Sequence, residues 1–504
     1  MDRIKKLEAT SQNATNRKNS AWGLIDYGAQ AASVICLTPL LLRELGDSAF
    51  GMLVIATTIM GLNGMLSLGL GPAAQHFVAK YRHSNESKSK LKLVVETSLI
   101  ANLIFGIASC TTIILCTEAV SRLYPHPANA PPNELAFIIR LAAFGLPFVF
   151  VVNTIDNSLK GFERFELSVP LSAIARIGTA VSQISLVLLG FELAAIVFAA
   201  VAFKGIQAIL GVIVLKRWAL PELSILPSFS WDEFRNFVSY GVYIWLNSMV
   251  ATARSSGEIL ILASILGPTA LTLYAVPSRV LTQVHLMLSS AFAYLFPFAT
   301  KLIQSGDTQR VHEVYSNATR YLCTLSGLAI PPLAIGCGPL LALWIEADRA
   351  EKIQPIFQLL AIRYAVYPLS ILTSNLLMAS NKTRAMTIIA TANTVTILPF
   401  SAGLAYFYGA EGAAAAQLLV LAPILFNRFF VEKTLFGSAS ANTVALPVLL
   451  LVVPLTCFLL LVDLPVDYPL IPTAIASTCT GLICGGICWI ATSQLIPKTG
   501  AEAA

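Results

Sequence analysis

A chain of 504 residues that is 56% hydrophobic and only 12% charged, with a mean hydropathy of +0.73, cannot be an ordinary water-soluble protein, where charged residues alone make up about a quarter. Its solvent is lipid: apolar runs of about 20 residues, each enough for a helix to cross a hydrocarbon core of ~30 Å, occupy most of the chain. The usual estimate of domain number from length therefore does not apply.

Residues 1–20 are polar and basic and read as a cytoplasmic tail. The apolar run behind them is longer than a signal-peptide core and no small-residue cleavage site follows it, so the first helix is expected to be retained. The runs predict an all-α polytopic membrane protein with fourteen spans. A first lobe, 21–215, holds six of them, at 21–42, 49–71, 93–116, 135–157, 169–190 and 193–215. A cytoplasmic linker, 216–241, leads to a second lobe, 242–431, with spans at 242–263, 270–292, 318–341, 356–378, 387–408 and 413–431. Two further spans, 442–462 and 469–491, and a tail, 492–504, complete the chain. All nine cysteines fall inside these runs without the paired spacing of a zinc or redox site, which points to core packing. Prolines recur within the runs (Pro39, Pro147, Pro277, Pro331, Pro332, Pro368, Pro399, Pro423), and each can kink its helix.

Placing the N-terminus in the cytoplasm puts 21 Lys and Arg in the inside segments against four outside, Arg43, Arg122, Arg349 and Lys352. The positive-inside rule selects that orientation, and an even span count brings the C-terminus to the same side.

The sequence also repeats itself. An offset of 221 residues lays Leu45 and Gly46 on Leu266 and Gly267, Phe77 on Phe298, Lys80 on Lys301, Gly106 on Gly327 and Pro147 on Pro368. After a two-residue slip, the turn containing Gly190, Glu192 and Ala194 falls on that containing Gly409, Glu411 and Ala413. Each copy holds an even number of helices, so the two lobes are expected to be parallel repeats around a central cavity, an architecture typical of transporters.

Charged residues inside the runs are unbalanced. Eight bases lie within or at the edges of spans (Arg140, Arg176, Lys204, Arg254, Arg279, Arg320, Arg363, Arg428), joined by four acids, Asp26, Glu96, Asp156 and Glu258. A charge at a helix centre facing lipid costs about 2.5–3.5 kcal/mol, so the deeper bases must face water or partners. Arg320 and Arg428, near helix ends, can snorkel; Glu96 and Asp156 also sit near an interface. Helical spacing puts Ser172, Arg176, Thr179 and Gln183 on one stripe and Tyr243, Asn247, Arg254 and Glu258 on another. Thr272, Arg279, Gln283 and Ser290 make a third, and Arg363, Tyr367, Ser370 and Ser374 a fourth. Interhelical hydrogen bonding explains an isolated Ser or Thr. Stripes centred on Arg, with too few acids to neutralise them, predict instead a hydrated cationic cavity formed by Arg140, Arg176, Lys204, Arg254, Arg279 and Arg363, with Gln183, Asn247, Gln283 and Tyr367 as polar lining. Arg254 and Glu258, at i and i+4, could also pair with each other. Guanidinium groups suit a phosphate or diphosphate because they offer planar bidentate donors and stay charged. Asp26, sharing a face with Gln30 and Ser33, and Glu258 are the candidates for coupling to H⁺ or Na⁺; for Asp26 a helix-start acid hydrogen-bonded near the interface is an equal reading.

Several stretches resemble bacterial polysaccharide exporters of the multidrug/oligosaccharidyl-lipid/polysaccharide flippase superfamily. They are Leu42 to Gly46 with Phe50 and Gly51, then Leu66 to Leu70, then Val78 to Arg82, together with Leu159 to Phe165 and the two Gly-x-Glu-x-Ala-Ala turns. The resemblance covers about residues 19–431. It implies a flippase of the bacterial inner membrane that moves polyprenyl-diphosphate-linked oligosaccharides from the cytoplasmic to the periplasmic leaflet for surface polysaccharide biosynthesis. It also implies contact with a lipid-linked glycan, with membrane lipids and with a polymerase or other assembly proteins; no cofactor and no nucleic acid are expected. A multidrug or cation antiporter of the same superfamily would favour excess acids and aromatics over this surplus of bases. A membrane glycan polymerase or ligase would present catalytic side chains on a large outside loop, and the longest here, 117–134, has eighteen residues and one His. No phosphate-binding loop is present, since Gly481 to Gly486 lacks the Gly-Lys-Ser/Thr ending. Replacing Arg279 or Arg363 with Gln is expected to abolish surface-glycan export while leaving membrane insertion intact; export unchanged in both variants would count against the cavity.

Overall fold

The computed structural model describes the backbone of residues 2–82, 88–125, 133–224, 228–292, 295–437, 439–462 and 464–493, and their side chains apart from 2–27, 88, 240, 243, 244, 297, 441 and 442. Among the described residues the fold is helical throughout. The helices are α1 (Asp2–Met60), α2 (Asn63–Leu66), α3 (Leu70–Arg82), α4 (Lys88–Ser121), α5 (Glu134–Ala143), α6 (Leu146–Gly161), α7 (Phe165–Leu188), α8 (Leu193–Val214), α9 (Trp231–Thr252) and α10 (Glu258–Ala291). There follow α11 (Leu295–Gln304), α12 (Thr308–Ile335), α13 (Cys337–Ile345), α14 (Ala347–Val366), α15 (Leu369–Ala379), α16 (Thr383–Ala416), α17 (Leu421–Phe436), α18 (Ala441–Val444), α19 (Leu446–Leu461) and α20 (Leu470–Thr492). Because α1 begins at Asp2, the polar N-terminal residues extend the first helix.

Nine described segments are long and apolar enough to cross a membrane; a tenth, α12 with α13, is bent by 66°, and α19 is shorter. This is a multi-pass membrane protein. Three of the nine run to 39, 47 and 54 residues, each long enough for two crossings at about 20 residues apiece. Each contains a glycine with positive φ: Gly46 (φ 79°), Gly267 (φ 75°) and Gly409 (φ 63°). Gly46 and Gly267 are the pair that the 221-residue offset superimposes, and they share almost the same conformation, ψ 171° and 170°. Gly190 (φ 78°) and Gly409 pair at an offset of 219, and Glu163 (φ 57°) and Asn381 (φ 58°), in the turns after α6 and α15, at an offset of 218. Left-handed backbone is unfavourable for residues with a Cβ, so its recurrence at matching turns reports duplicated chain geometry.

The chain divides into two compact units, Met1–Thr272 and Leu273–Ala504. In the first, α1 packs on α5 and α7, while α6 lies among α3, α4 and α8. Between membrane-crossing helices, association relies on close packing of small residues and on hydrogen bonds, since lipid removes the hydrophobic drive. The contact of α9 and early α10 with α1 to α3 is built this way. A Cβ on Gly51 would fall 1.9 Å from the Pro268 carbonyl oxygen, and one on Gly69 2.6 Å from that of Gly241. Trp245 Nε1 donates to the Met65 carbonyl at 2.7 Å, and Thr272 Oγ1 to that of Asp47 at 2.8 Å.

Glu96, expected near an interface, is held by the connection between α8 and α9. Its side chain is fully buried, and its carboxylate accepts the Ser224 N–H (2.8 Å), the Ser228 N–H (2.9 Å) and the Ser228 hydroxyl (2.5 Å), while Thr97 Oγ1 accepts the Ser230 N–H (3.1 Å). One carboxylate thus takes two backbone donors of the connection between α8 and α9. Ser230 then caps α9 by accepting the Glu233 N–H at 3.4 Å.

In the second unit α14 packs on α12, α13, α16 and α19, and α20 packs extensively on α12. A Cβ on Gly327 would lie 3.2 Å from the backbone of Cys484 and Gly485, and one on Gly481 2.5 Å from the Pro332 ring. Arg320 places its guanidinium 3.5 Å above the Trp489 ring. The last two helices are therefore part of the body of this unit. Cys110, Cys323, Cys337, Cys484 and Cys488 are buried, as packing requires; Cys36, Cys116, Cys457 and Cys479 are exposed on helix surfaces, where the sequence pattern gave no means of separating core from lipid-facing positions.

Arg428 does not snorkel. It is 1% exposed, donates to the Thr443 carbonyl at 2.7 Å, lies 3.6 Å from Glu432, itself 2% exposed, and sits over the Tyr315 ring. Glu432 also accepts the Thr443 hydroxyl. The pair ties α17 to the segment leading into α19. Breaking a buried ion pair leaves the survivor uncompensated at about 3–5 kcal/mol, whereas removing both partners is far milder. Arg428→Met should therefore lower the melting temperature of the detergent-purified protein sharply, and adding Glu432→Gln should recover most of the loss. A double variant no more stable than the single one would refute the pairing.

Candidate functional site

In the first unit a cavity of about 400 Å³ opens among α1, α2, α6, α7 and α8. Arg176 and Lys204 line it, with Ser172, Thr179 and Gln183 of α7, Asn153 and Asp156 of α6, Asn63 of α2 and Gln207 of α8. The α7 stripe faces into it as one surface, because 172, 176, 179 and 183 fall at helical spacing on an uninterrupted helix. Lys204 Nζ donates to Gln207 Oε1 at 2.9 Å, and Gln207 Nε2 to Ser172 Oγ at 3.4 Å, so the ammonium is steered by a neutral relay. Gln183, 5% exposed, donates to the Ile196 carbonyl at 3.2 Å and ties α7 to α8.

The acid on this wall is Asp156, and it is already engaged. One carboxylate oxygen lies 2.6 Å from Lys160 Nζ and the other accepts the Ser168 hydroxyl. Asn157 Nδ2 donates to Asn153 Oδ1 at 2.8 Å, and Gly71 leaves room for both amides, which a Cβ there would approach to 2.9 Å. Asn153, Asp156, Asn157 and Lys160 follow i, i+3, i+4, i+7 spacing. That stripe was readable in the sequence, but assigning Asp156 to the interface hides it.

The remaining predicted cavity residues divide. Arg140 is turned away: it is ion-paired with Glu118, and both side chains are well exposed (43% and 59%). The sequence reading missed this partner because α4 extends to Ser121, past the expected span end, and carries Glu118 alongside. Arg254 is half-buried within a π turn, Ala253–Gly257, that joins α9 to α10. The wider turn breaks the 3.6-residue register, so Asn247, half-buried on one side, and Glu258, 6% exposed on the other, do not share a straight stripe with it. The side chains of Asp26 and Tyr243 lie outside the described residues.

In the second unit Arg363 is 7% exposed and donates to Gln417 Oε1 at 2.7 Å, with its guanidinium 5.0 Å from the Tyr364 ring and 5.2 Å from that of Tyr367. Tyr367 packs at 4.6 Å on the His285 ring, and the Tyr364 hydroxyl is 2.7 Å from Thr282 Oγ1. His285, Ser289, Ser370, Ser374 and Asn375 line a second cavity, of about 460 Å³. Gln283 is 8% exposed and Arg279 half-buried on α10. His285 was missed because a single His carries no periodic signal; its place between Tyr367 and the serines is set by packing.

Comparison with known proteins fits a transporter-like scaffold. The chain is 21% identical over 407 residues to a "Putative O-antigen transporter" of Shigella flexneri, covering 79% of this chain and 93% of that one. Its fold matches the lipid II flippase MurJ in an inward closed conformation with a TM-score of 0.70 at 12% identity, over 96% of this chain and 99% of the flippase. It also matches an inward-facing MATE family multidrug resistance transporter of the MOP superfamily with a TM-score of 0.65 at 14% identity, over 83% and 96% of the two chains. The sequence profile described as "Polysaccharide biosynthesis protein" matches residues 40–337, more than half of the chain, and the chain belongs to this family.

Proposed function

We propose that this protein is a flippase that moves an anionic polyprenyl-diphosphate-linked oligosaccharide from the cytoplasmic to the periplasmic leaflet of the bacterial inner membrane, by alternating access, during surface polysaccharide biosynthesis. The observation that carries the reading is the cavity of the first unit, where Arg176 and Lys204 stand beside one acid that Lys160 and Ser168 already hold. Two bases on one polar wall suit a diphosphate, because guanidinium and ammonium groups donate charge-assisted hydrogen bonds to its oxygens. Family membership and the fold shared with a lipid II flippase support the same reading. The MATE likeness keeps drug extrusion as the second reading.

The finer points of the proposal follow from the sequence. The three long segments count as two crossings each, giving fourteen with both termini in the cytoplasm, as the Lys and Arg distribution favours. Glu258, buried at 6% exposure, and Asp26 are the acids for H⁺ or Na⁺ coupling. Assembly proteins such as a polymerase would receive the glycan after flipping.

Removing two charge-assisted contacts of about 1.5–3 kcal/mol each should be decisive. In a host lacking its own copy of the chain, Arg176→Gln/Lys204→Gln is expected to lower surface-glycan export by more than about tenfold, with unchanged protein in the membrane fraction. Full export by the double variant, or lost resistance to cationic drugs with export intact, would refute the proposal.

A further inference from the structure

The cavity of the second unit is walled differently from that of the first. It is lined from α10, α11 and α15, and among its described lining residues none is Asp, Glu, Lys or Arg. Arg363, which the sequence stripe grouped with Ser370 and Ser374, donates to Gln417 at 2.7 Å and is not on this wall. The wall presents the hydroxyls of Ser289, Ser370 and Ser374, the amide of Asn375 and the rings of His285 and Phe296. The Ser370 hydroxyl donates to the Tyr367 carbonyl at 2.7 Å, which leaves its oxygen able to accept. Among the described residues, the side chains of Ser289, Ser374 and Asn375 make no hydrogen bond, and His285 buries Nδ1 without a partner. Hydrogen-bonding capacity inside a membrane protein is costly to leave unused, so this wall is suited to a guest that takes it up.

We infer that this cavity is a subsite for a neutral sugar ring of the cargo, and that it discriminates against acidic sugars. The inference rests on the flippase reading, which supplies a glycan as cargo. An acyl chain would cover donors and acceptors that it cannot satisfy. A diphosphate or a uronate would find no base among these lining residues, and an organic cation no acid. Sugar hydroxyls both donate and accept, and the wall answers in kind: a serine hydroxyl does both, and the Asn375 amide offers donors and an acceptor together. The weakly positive C–H face of a sugar ring suits the negative π face of Phe296, which is 41% exposed. The volume of about 460 Å³ lies within the ~300–1,000 Å³ of small-molecule sites.

The test is saturation-transfer NMR on the detergent-purified full chain, with methyl β-glucoside and methyl N-acetyl-β-glucosaminide as neutral probes and methyl β-glucuronide as the acidic one. At least one neutral glycoside is expected to bind, and the glucuronide at least about tenfold more weakly, equivalent to about 1.4 kcal/mol. Ser374→Ala/Asn375→Leu, which removes the polar groups at nearly constant volume, should weaken neutral binding by about tenfold or more while the protein stays folded. Binding by neither neutral glycoside, equal binding of the glucuronide, or unchanged binding by the double variant overturns the inference. Should that variant yield too little folded protein, Ser289→Ala/Ser374→Ala decides the matter by the same outcomes. Failure of the subsite is separable from failure of the flippase reading. With no glycoside bound but export still lost in Arg176→Gln/Lys204→Gln, the subsite alone falls; normal export by that variant removes the flippase reading on which the subsite rests.

Discussion

A cation carried into an apolar helix must find a counter-charge, a ring of dipoles or water, because lipid offers none of these. This chain places more bases than acids within its helices, and each base meets the constraint in its own way. Arg140 takes Glu118, Arg428 takes Glu432 with a backbone carbonyl, and Arg320 lies on Trp489. Arg363 is embraced by Gln417 and two tyrosine faces. Arg176 and Lys204 line an open polar cavity.

The frame around these groups is set by backbone economy at a few turns. Gly46 and Gly267 adopt the same left-handed geometry at equivalent points of the two copies, as do Glu163 and Asn381. Equivalent glycines have nevertheless acquired different neighbours. Gly106 gives space to Pro147 in the first copy, whereas Gly327, its counterpart, admits the backbone of α20. Duplication thus supplied a small-residue site twice, and the second was free to receive the C-terminal helix.

The fold was legible where it depends on long-range regularities of the chain: hydrophobic run length, the 221-residue offset and Gly-bearing turns all survive in the structure. The α7 stripe was legible for the same reason, lying on one continuous helix with polar residues at i, i+4, i+7 and i+11. What escaped the sequence depends on local irregularity or on partners remote in the chain. The π turn at Ala253–Gly257 rotates residues on either side of Arg254 out of register. The donors to Glu96 come from a connection about 130 residues away. Asp156 likewise depends on Ser168 across the turn from α6 to α7, a contact no periodicity within one helix predicts.

The two copies also show where the chemistry has specialised. The turns at Glu163 and Asn381 lie 218 residues apart, three fewer than the offset that pairs Pro147 with Pro368, because α15 is shorter than α6; counting seven residues back from these turns sets Asp156 opposite Ser374 and Asn157 opposite Asn375. Asp156 lines the cavity of the first unit, and Ser374 and Asn375 line that of the second. The same stretch of the repeat therefore forms a cavity wall twice, once with a charged network and once with neutral donors. In that register Met378 stands at the position of Lys160, and in the second unit Arg363 is enclosed by Gln417 and the tyrosines.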